Sequence, residues 1–178
     1  MSTSKSAVPL MAGAVYLLGF ALSAQSPNLG RPLTPDDVKK IDITIESDGK
    51  GLPPGSGSVA TGATLYAQKC HGCHGSQGAG KPMEQLTGGI GTLGSAKPVK
   101  TPVSFWPRAT TLFDYIRRAM PLTAPQTLTN DEVYALVAYL LSVDGVVAKD
   151  AVLDAKSLPE VKMPNRDGFV RYWPAPPR

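Results

Sequence analysis

Soft ligands are scarce in this chain. Its 178 residues include two cysteines and two histidines, and all four stand in the stretch "KCHGCHG" as Cys70, His71, Cys73 and His74. A structural zinc site takes four ligands, and no other cysteine or histidine exists to complete one. Basic runs are missing as well. The formal charge is +4, with no lysine–arginine block and no basic stripe interleaved with aromatics, so nucleic acid is not an expected partner. There is no internal repeat.

The N-terminus also lacks a comfortable membrane span. About 20 apolar residues are needed to cross a bilayer, and the run from Ala7 to Ala24 is slightly short and carries Pro9. Lys5 precedes it and small residues follow, the layout of a secretory signal peptide cut near Ser23 or Ala24. Leu22 is an imperfect fit to such a cut. Residues 1–25 are therefore expected to be a signal peptide, with a retained membrane anchor as the alternative. Either way the remainder is exported, and a periplasmic location is expected.

What is present reads as one compact domain with extensions. The 18 glycines and 17 prolines fall mostly outside the periodic segments, which points to a small core dressed with loops and arms. Residues 26–57 form the first expected arm. Within it "TPDDVKK" has a capped helical start at Thr34 with Pro35 at the first helical position, "IDITIE" alternates as a short strand would, and "GLPPGSGS" breaks regular structure.

The core is expected over 58–145. Val59, Gly62, Leu65 and Tyr66 share a face of a first helix. A glycine-rich loop follows. "TTLFDYIRRAM" predicts a second helix, capped by Thr110 or Thr111, striped by Leu112, Tyr115, Ile116 and Ala119, and ended by Pro121. "TNDEVYALVAYLLSV" predicts a third, capped by Thr129 or Asn130, with Asp131 and Glu132 suiting its positive end. Val133, Leu136, Val137 and Leu140 make its buried face, and Gly145 closes it. Residues 146–178 are proline-broken and are read as a second arm.

Cys70, Cys73 and His74 spell C-x-x-C-H, the haem c attachment signature. Thiols three residues apart on a helical turn lie on one side and can each bond a porphyrin vinyl group, and the next residue turns its imidazole under the iron. Three other readings compete. A thioredoxin-like redox pair needs a βαβ context that helix and glycine loop do not supply. Half of a zinc site lacks its other half, and an ordinary disulfide is tolerated in an exported protein. The expectation is one haem c, bound through Cys70 and Cys73 with His74 on iron.

His71 faces away from the iron, so a sixth ligand has to be a thioether or something less usual. Met1 and Met11 belong to the export segment, Met83 is close to the attachment motif, and Met163 is in the tail. Met120, in "RRAMP", stands where the second helix stops, and it is the expected ligand. Plain packing is the alternative reading of Met120, and Met83 the alternative ligand. Methionine–histidine ligation raises the potential and closes the coordination sphere, as suits an electron carrier.

The residues "GATLYAQKCHGCHGSQGAG", "AMP" and "LTNDEVYALVAYLLS" together resemble a class I cytochrome c. That resemblance implies an all-α fold of about three to five helices around one covalent haem, with Gly62 and Tyr66 meeting Tyr139 and Leu140 where the first and last helices cross.

A narrower likeness reaches further along the chain. "LGRPLTPDDVKKIDITIESDGKGLPPGSGS", "GGIGTL", "KTPVSFWPRATTLFDYIRRAMP" and "LPEVKMPNRDGFV" are similar to the cytochrome subunits of sulfane dehydrogenases. It implies electron transfer from a sulfite-oxidase-type molybdenum subunit to a downstream cytochrome, without catalysis by this chain alone, and arms that wrap the catalytic subunit. It also suggests Pro82 as the carbonyl that accepts from the ligating histidine, although its spacing to Leu86 departs from the family pattern. Trp106, Arg108 and Arg117 are candidates for the haem propionates, while Arg117 and Arg118 equally suit an exposed helix face. A free-standing electron shuttle, or a haem enzyme or gas sensor with a labile sixth ligand, stand as alternatives.

Overall fold

The computed structural model describes residues 30–170. The expected signal peptide over 1–25 and the last residues, 171–178, lie outside the described residues. Contacts divide the chain into two units, one ending at Ile41 and the other beginning at Asp42.

In the first unit, α1 (Pro35–Ile41) begins as the sequence suggests. The Thr34 hydroxyl accepts from the Asp37 N–H at 3.2 Å, and the Asp37 carboxylate accepts from the Thr34 N–H at 3.0 Å. This reciprocal box satisfies two donors that a helix start leaves orphaned. Arg31 adds a 2.7 Å ion pair to Asp37.

The second unit is built on α2 (Val59–Lys69), α5 (Ala109–Ala119) and α6 (Asn130–Val143), with the one-turn helices α3 (His71–His74) and α4 (Pro102–Phe105) between them. α6 is buried on nearly every side: Val133 to Ala138, Leu140 and Leu141 are all inside. Burying a leucine such as Leu136 or Leu141 contributes about 1.5–3 kcal/mol, so α6 is the main support of the fold. Its start is the expected one, with Thr129 accepting from the Glu132 N–H and Glu132 accepting from the Thr129 N–H.

Glycine lets α2 and α6 touch. A β-carbon on Gly62 would run into the Ala135 carbonyl and come within 2.8 Å of the Tyr139 β-carbon. One turn on, Tyr66 stacks on Tyr139 with ring centroids 5.1 Å apart. The anticipated meeting of Gly62 and Tyr66 with Tyr139 is thus made, with Ala135 as a further contact. Gly57 makes a second close approach, to the backbone of the same Ala135.

Several expectations are corrected. "IDITIE" is not a strand, since Ile41 closes α1 and the residues after it run unpaired to a turn at Glu46–Gly49. Alternation there comes from Ile45 packing on the core without a neighbouring strand to join. "GSGS", read as a breaker, instead supplies β1 (Ser56–Ser58), which pairs antiparallel with β2 (Val152–Asp154).

α5 is capped at Arg108 with no side-chain bond; the expected cap Thr110 is buried and gives its hydroxyl to the Ser47 carbonyl at 3.3 Å. Tyr115 of its predicted stripe is 48% exposed, and Phe113 is buried in its place. α4 was not anticipated, although Thr101-Pro102 with Ser104 is a legible capping box.

Within the second unit the expected arms pack on the chain's own core. Residues 42–57 are strapped to their own domain: the Ile43, Ser47, Pro53 and Pro54 carbonyls accept from Arg118, Thr110, Tyr134 and Asn130. From the other end, Leu153, Leu158 and Met163 are buried in the core, and Asn165 donates to the Phe105 carbonyl at 2.7 Å. Apolar residues spaced among prolines lack periodicity, yet they bury well as single anchors. That is why these segments resemble loose arms in sequence and lie on the chain's own core in the fold.

Candidate cofactor site

The attachment motif extends the line of α2. The Cys70 N–H still bonds the Tyr66 carbonyl, and the Cys73 and His74 N–H groups bond the Cys70 carbonyl at 3.1 and 2.9 Å. Residues three and four apart on a helical turn are neighbours, so Cys70, Cys73 and His74 share a face; His71 is exposed. Both cysteines are unpaired thiols, Cys73 exposed and Cys70 half-buried.

His74 is held from several directions. Its carbonyl accepts from the Gly80 N–H at 2.7 Å, and the carbonyl of Cys73 accepts from the Met83 N–H at 2.8 Å. Its ring Nδ1 lies 2.8 Å from the Glu84 carbonyl oxygen. A carbonyl only accepts, so Nδ1 carries the proton, and in the neutral imidazole that leaves the free lone pair on Nε2. The carbonyl that orients the imidazole is therefore that of Glu84, and the assignment to Pro82 is corrected. The chain reverses through Lys81–Met83, where the Lys81 N–H bonds the Met83 carbonyl at 2.7 Å, and so the acceptor falls two residues beyond the proline. A backbone carbonyl has no signature in sequence, so the role of Glu84 is not legible there.

Met120 is the C-terminal cap of α5, with its N–H bonded to the Ile116 carbonyl at 3.0 Å. It is half-buried and packs against the core. Met163 is 3% exposed within that core and Met83 is 41% exposed.

Trp106 stacks on Tyr115 at 5.5 Å, and Arg108 is half-buried just ahead of α5. Arg117 lies elsewhere. Helical spacing puts it with Phe113 and Thr110 on the flank opposite Tyr115, and its charge acts on the Tyr134 phenol. The structure does not bring Arg117 together with Trp106. Arg118 is engaged with Asp114 and with the Ile43 carbonyl, both at 2.8 Å.

These residues fit haem c. Two free thiols and an imidazole with Nε2 available share one helical face, and exposed apolar side chains at Met83, Ile90, Tyr115 and Leu122 occur along the stretch leading to the loop after Met120. A helical domain built on a C-x-x-C-H turn with crossed first and last helices defines a class I cytochrome c. The chain belongs to the cytochrome c family, whose model matches residues 59–144, and haem c is attached covalently at the Cys70–Cys73 pair. Among solved structures it is similar to a chain of the sulfane dehydrogenase SoxCD from Paracoccus pantotrophus, with 42% identity, 82% of this chain and 72% of that chain covered, and a TM-score of 0.75. No curated protein matches the chain. Among the described residues no helix is long and apolar enough to cross a membrane.

Proposed function

We propose that this cytochrome is the electron-transfer subunit of a sulfur-oxidising molybdenum enzyme. In this reading it works in the periplasm, takes electrons from the molybdenum subunit and passes them to a further cytochrome. The observation that carries the reading is the extent of the likeness to the sulfane dehydrogenase chain. At 42% identity it covers 82% of this chain, well beyond residues 59–144, which any cytochrome c would share.

His74 and Met120 are the proposed iron ligands. Haem c with histidine and methionine on iron supplies one-electron redox chemistry at a raised potential and leaves no open position for substrate. His74 offers Nε2 because Glu84 holds Nδ1. Met83 is tied by its backbone to Cys73 and directly precedes Glu84, so it belongs to the His74 side. Met163 is committed to the core. Of the methionines within residues 30–170 that leaves Met120, at a helix end with its chain turning outward at Pro121. Trp106 and Arg108 remain candidates for the propionates.

Native purification tests the reading. The cytochrome is expected to co-elute with a larger chain, the complex carrying molybdenum and haem together and reducing its haem on addition of sulfite or a sulfane-sulfur donor. Elution alone, with no molybdenum and no reduction by either donor, would mark a free shuttle and overturn it.

A further inference from the structure

We propose that Tyr66 is a positioning residue for the axial imidazole, acting through the backbone that follows His74. This rests on the reading of His74 as an iron ligand. Tyr66 is 2% exposed, and its hydroxyl donates to the Gly75 carbonyl at 2.9 Å. Gly75 is the residue immediately after His74 and has φ 71°. It opens the turn that carries the chain round to Glu84, whose carbonyl accepts from His74 Nδ1.

The turn's other ties are local. Its own bonds run from Gly75 to the His71 carbonyl, from Gly78 to the Gly75 carbonyl at 3.3 Å, from Ala79 to the Ser76 carbonyl, from Gly80 back to the His74 carbonyl, and from Leu86 and Thr87 to the Gly78 carbonyl. Thr87 also donates to the Gln77 carbonyl at 2.7 Å. The bonds to the His71 and His74 carbonyls reach only the one-turn helix α3, and the others join the turn to itself or to the loop behind it. The Tyr66 hydroxyl is different: it joins the turn to the rigid crossing of α2 and α6, where the ring is stacked on Tyr139.

Burial pushes the phenol up to about 12, so it remains a donor across the physiological range. Removing the hydroxyl leaves the half-buried Gly75 carbonyl with only the longer bond from the Gly78 N–H, at 3.3 Å, and a lost bond of this kind is felt locally as easier opening. The opening would loosen the Glu84 carbonyl from Nδ1, and with it the orientation of the ring.

The test uses the full-length holoprotein in the reduced state, labelled with ¹⁵N-histidine. Exchange of the His74 Nδ1 proton is followed by NMR beside the amide of Leu136 in α6. In Tyr66→Phe the imidazole proton is expected to exchange roughly fivefold faster relative to Leu136, the factor that about 1 kcal/mol implies. If both accelerate by one factor, or neither changes, Tyr66 only stabilises the fold and the proposal is overturned.

Should Tyr66→Phe fail to retain haem, 3-fluorotyrosine placed at position 66 is a stronger donor of nearly the same size. Slower Nδ1 exchange then supports the proposal, and unchanged exchange defeats it. Wild-type His74 ring resonances without the upfield ring-current shift of a haem ligand would overturn the ligand reading itself, whatever Tyr66 does. With that shift present and exchange indifferent to position 66, the positioning role falls alone.

Discussion

The His74 side and the Met120 side of the proposed site are held by different means. Directed hydrogen bonds converge on residues 73–75, from Met83, Gly80 and Tyr66, and the imidazole itself is aimed by Glu84. Met120 has one backbone bond, to Ile116, and the loop behind it is closed by Ala124 on Pro121 and by Thr127 on Ala124. The chemistry of the two side chains accounts for this. An imidazole has a second nitrogen through which a protein can orient it, whereas a thioether is only a weak acceptor and offers nothing to grip. Its position has to come from where the helix stops and from packing. Damage on the histidine side is therefore expected to be graded, and damage on the methionine side all-or-none.

The sharpest way to break that contrast is Met120→Ala. Haem is expected to stay covalently attached while the methionine–iron charge-transfer band disappears completely and the potential falls. Met83→Ala is expected to leave the band in place. Optical spectra of the two oxidised variants decide the matter: a band that survives in the first and vanishes in the second would move the ligand to Met83 and reverse the assignment of sides.

A smaller effect, on the scaffold shared by both sides, is expected from Gly62→Ala. The new β-carbon meets the Ala135 carbonyl, which is backbone and cannot swing away. Overpacking of this kind costs about 1–3 kcal/mol, readable as a lowered denaturant midpoint. Tyr66 lies one turn further along the same face, so the His74 side is expected to feel the shift while the methionine band persists. A midpoint equal to wild type would mean that the crossing has slack, and that Tyr66 is anchored to something less rigid than the geometry indicates.

Sequence legibility follows the same division. Cys70, Cys73 and His74 are adjacent in the chain, and the helices that carry Tyr66, Met120 and Tyr139 have strong periods and side-chain caps, so motif, ligand candidates and crossing could all be read. Glu84 and the Gly75 carbonyl could not, because their roles belong to backbone oxygens to which any residue type could contribute. The anchoring of 42–57 and 146–168 on the chain's own core is illegible in the sequence for a related reason. Their anchors, Ile45, Leu52, Leu153, Leu158 and Met163, are isolated apolar residues that acquire meaning only once α5 and α6 are in place to receive them. Arg117 and Arg118 are neighbours in sequence and chemically identical, and only the helix phase assigns one to Tyr134 and the other to Asp114 and Ile43.

The smallest predicted effects lie at the start of α6, away from either proposed ligand. Thr129→Ala removes the side-chain acceptor for the Glu132 N–H, at a cost of about 1 kcal/mol. The Glu132 carboxylate returns the favour to the Thr129 N–H and also pairs with Lys69 of α2 at 3.2 Å. The Thr129 N–H first, and then Lys69, hold its pKa below the usual carboxylate value of 4.5. A group whose folded pKa is lowered contributes stability that is complete above its unfolded value and is lost as pH falls through the folded one. Wild type is therefore expected to lose this increment on acidification below about pH 4.5. Glu132→Gln is expected to be slightly less stable than wild type at neutral pH and to converge on it in acid. Denaturant midpoints taken at pH 7 and pH 3 give both numbers. A gap between Glu132→Gln and wild type that stays constant across that range would mean that the box works through neutral hydrogen bonding alone, and that Lys69 adds nothing to the contact between the helices at that end of the crossing.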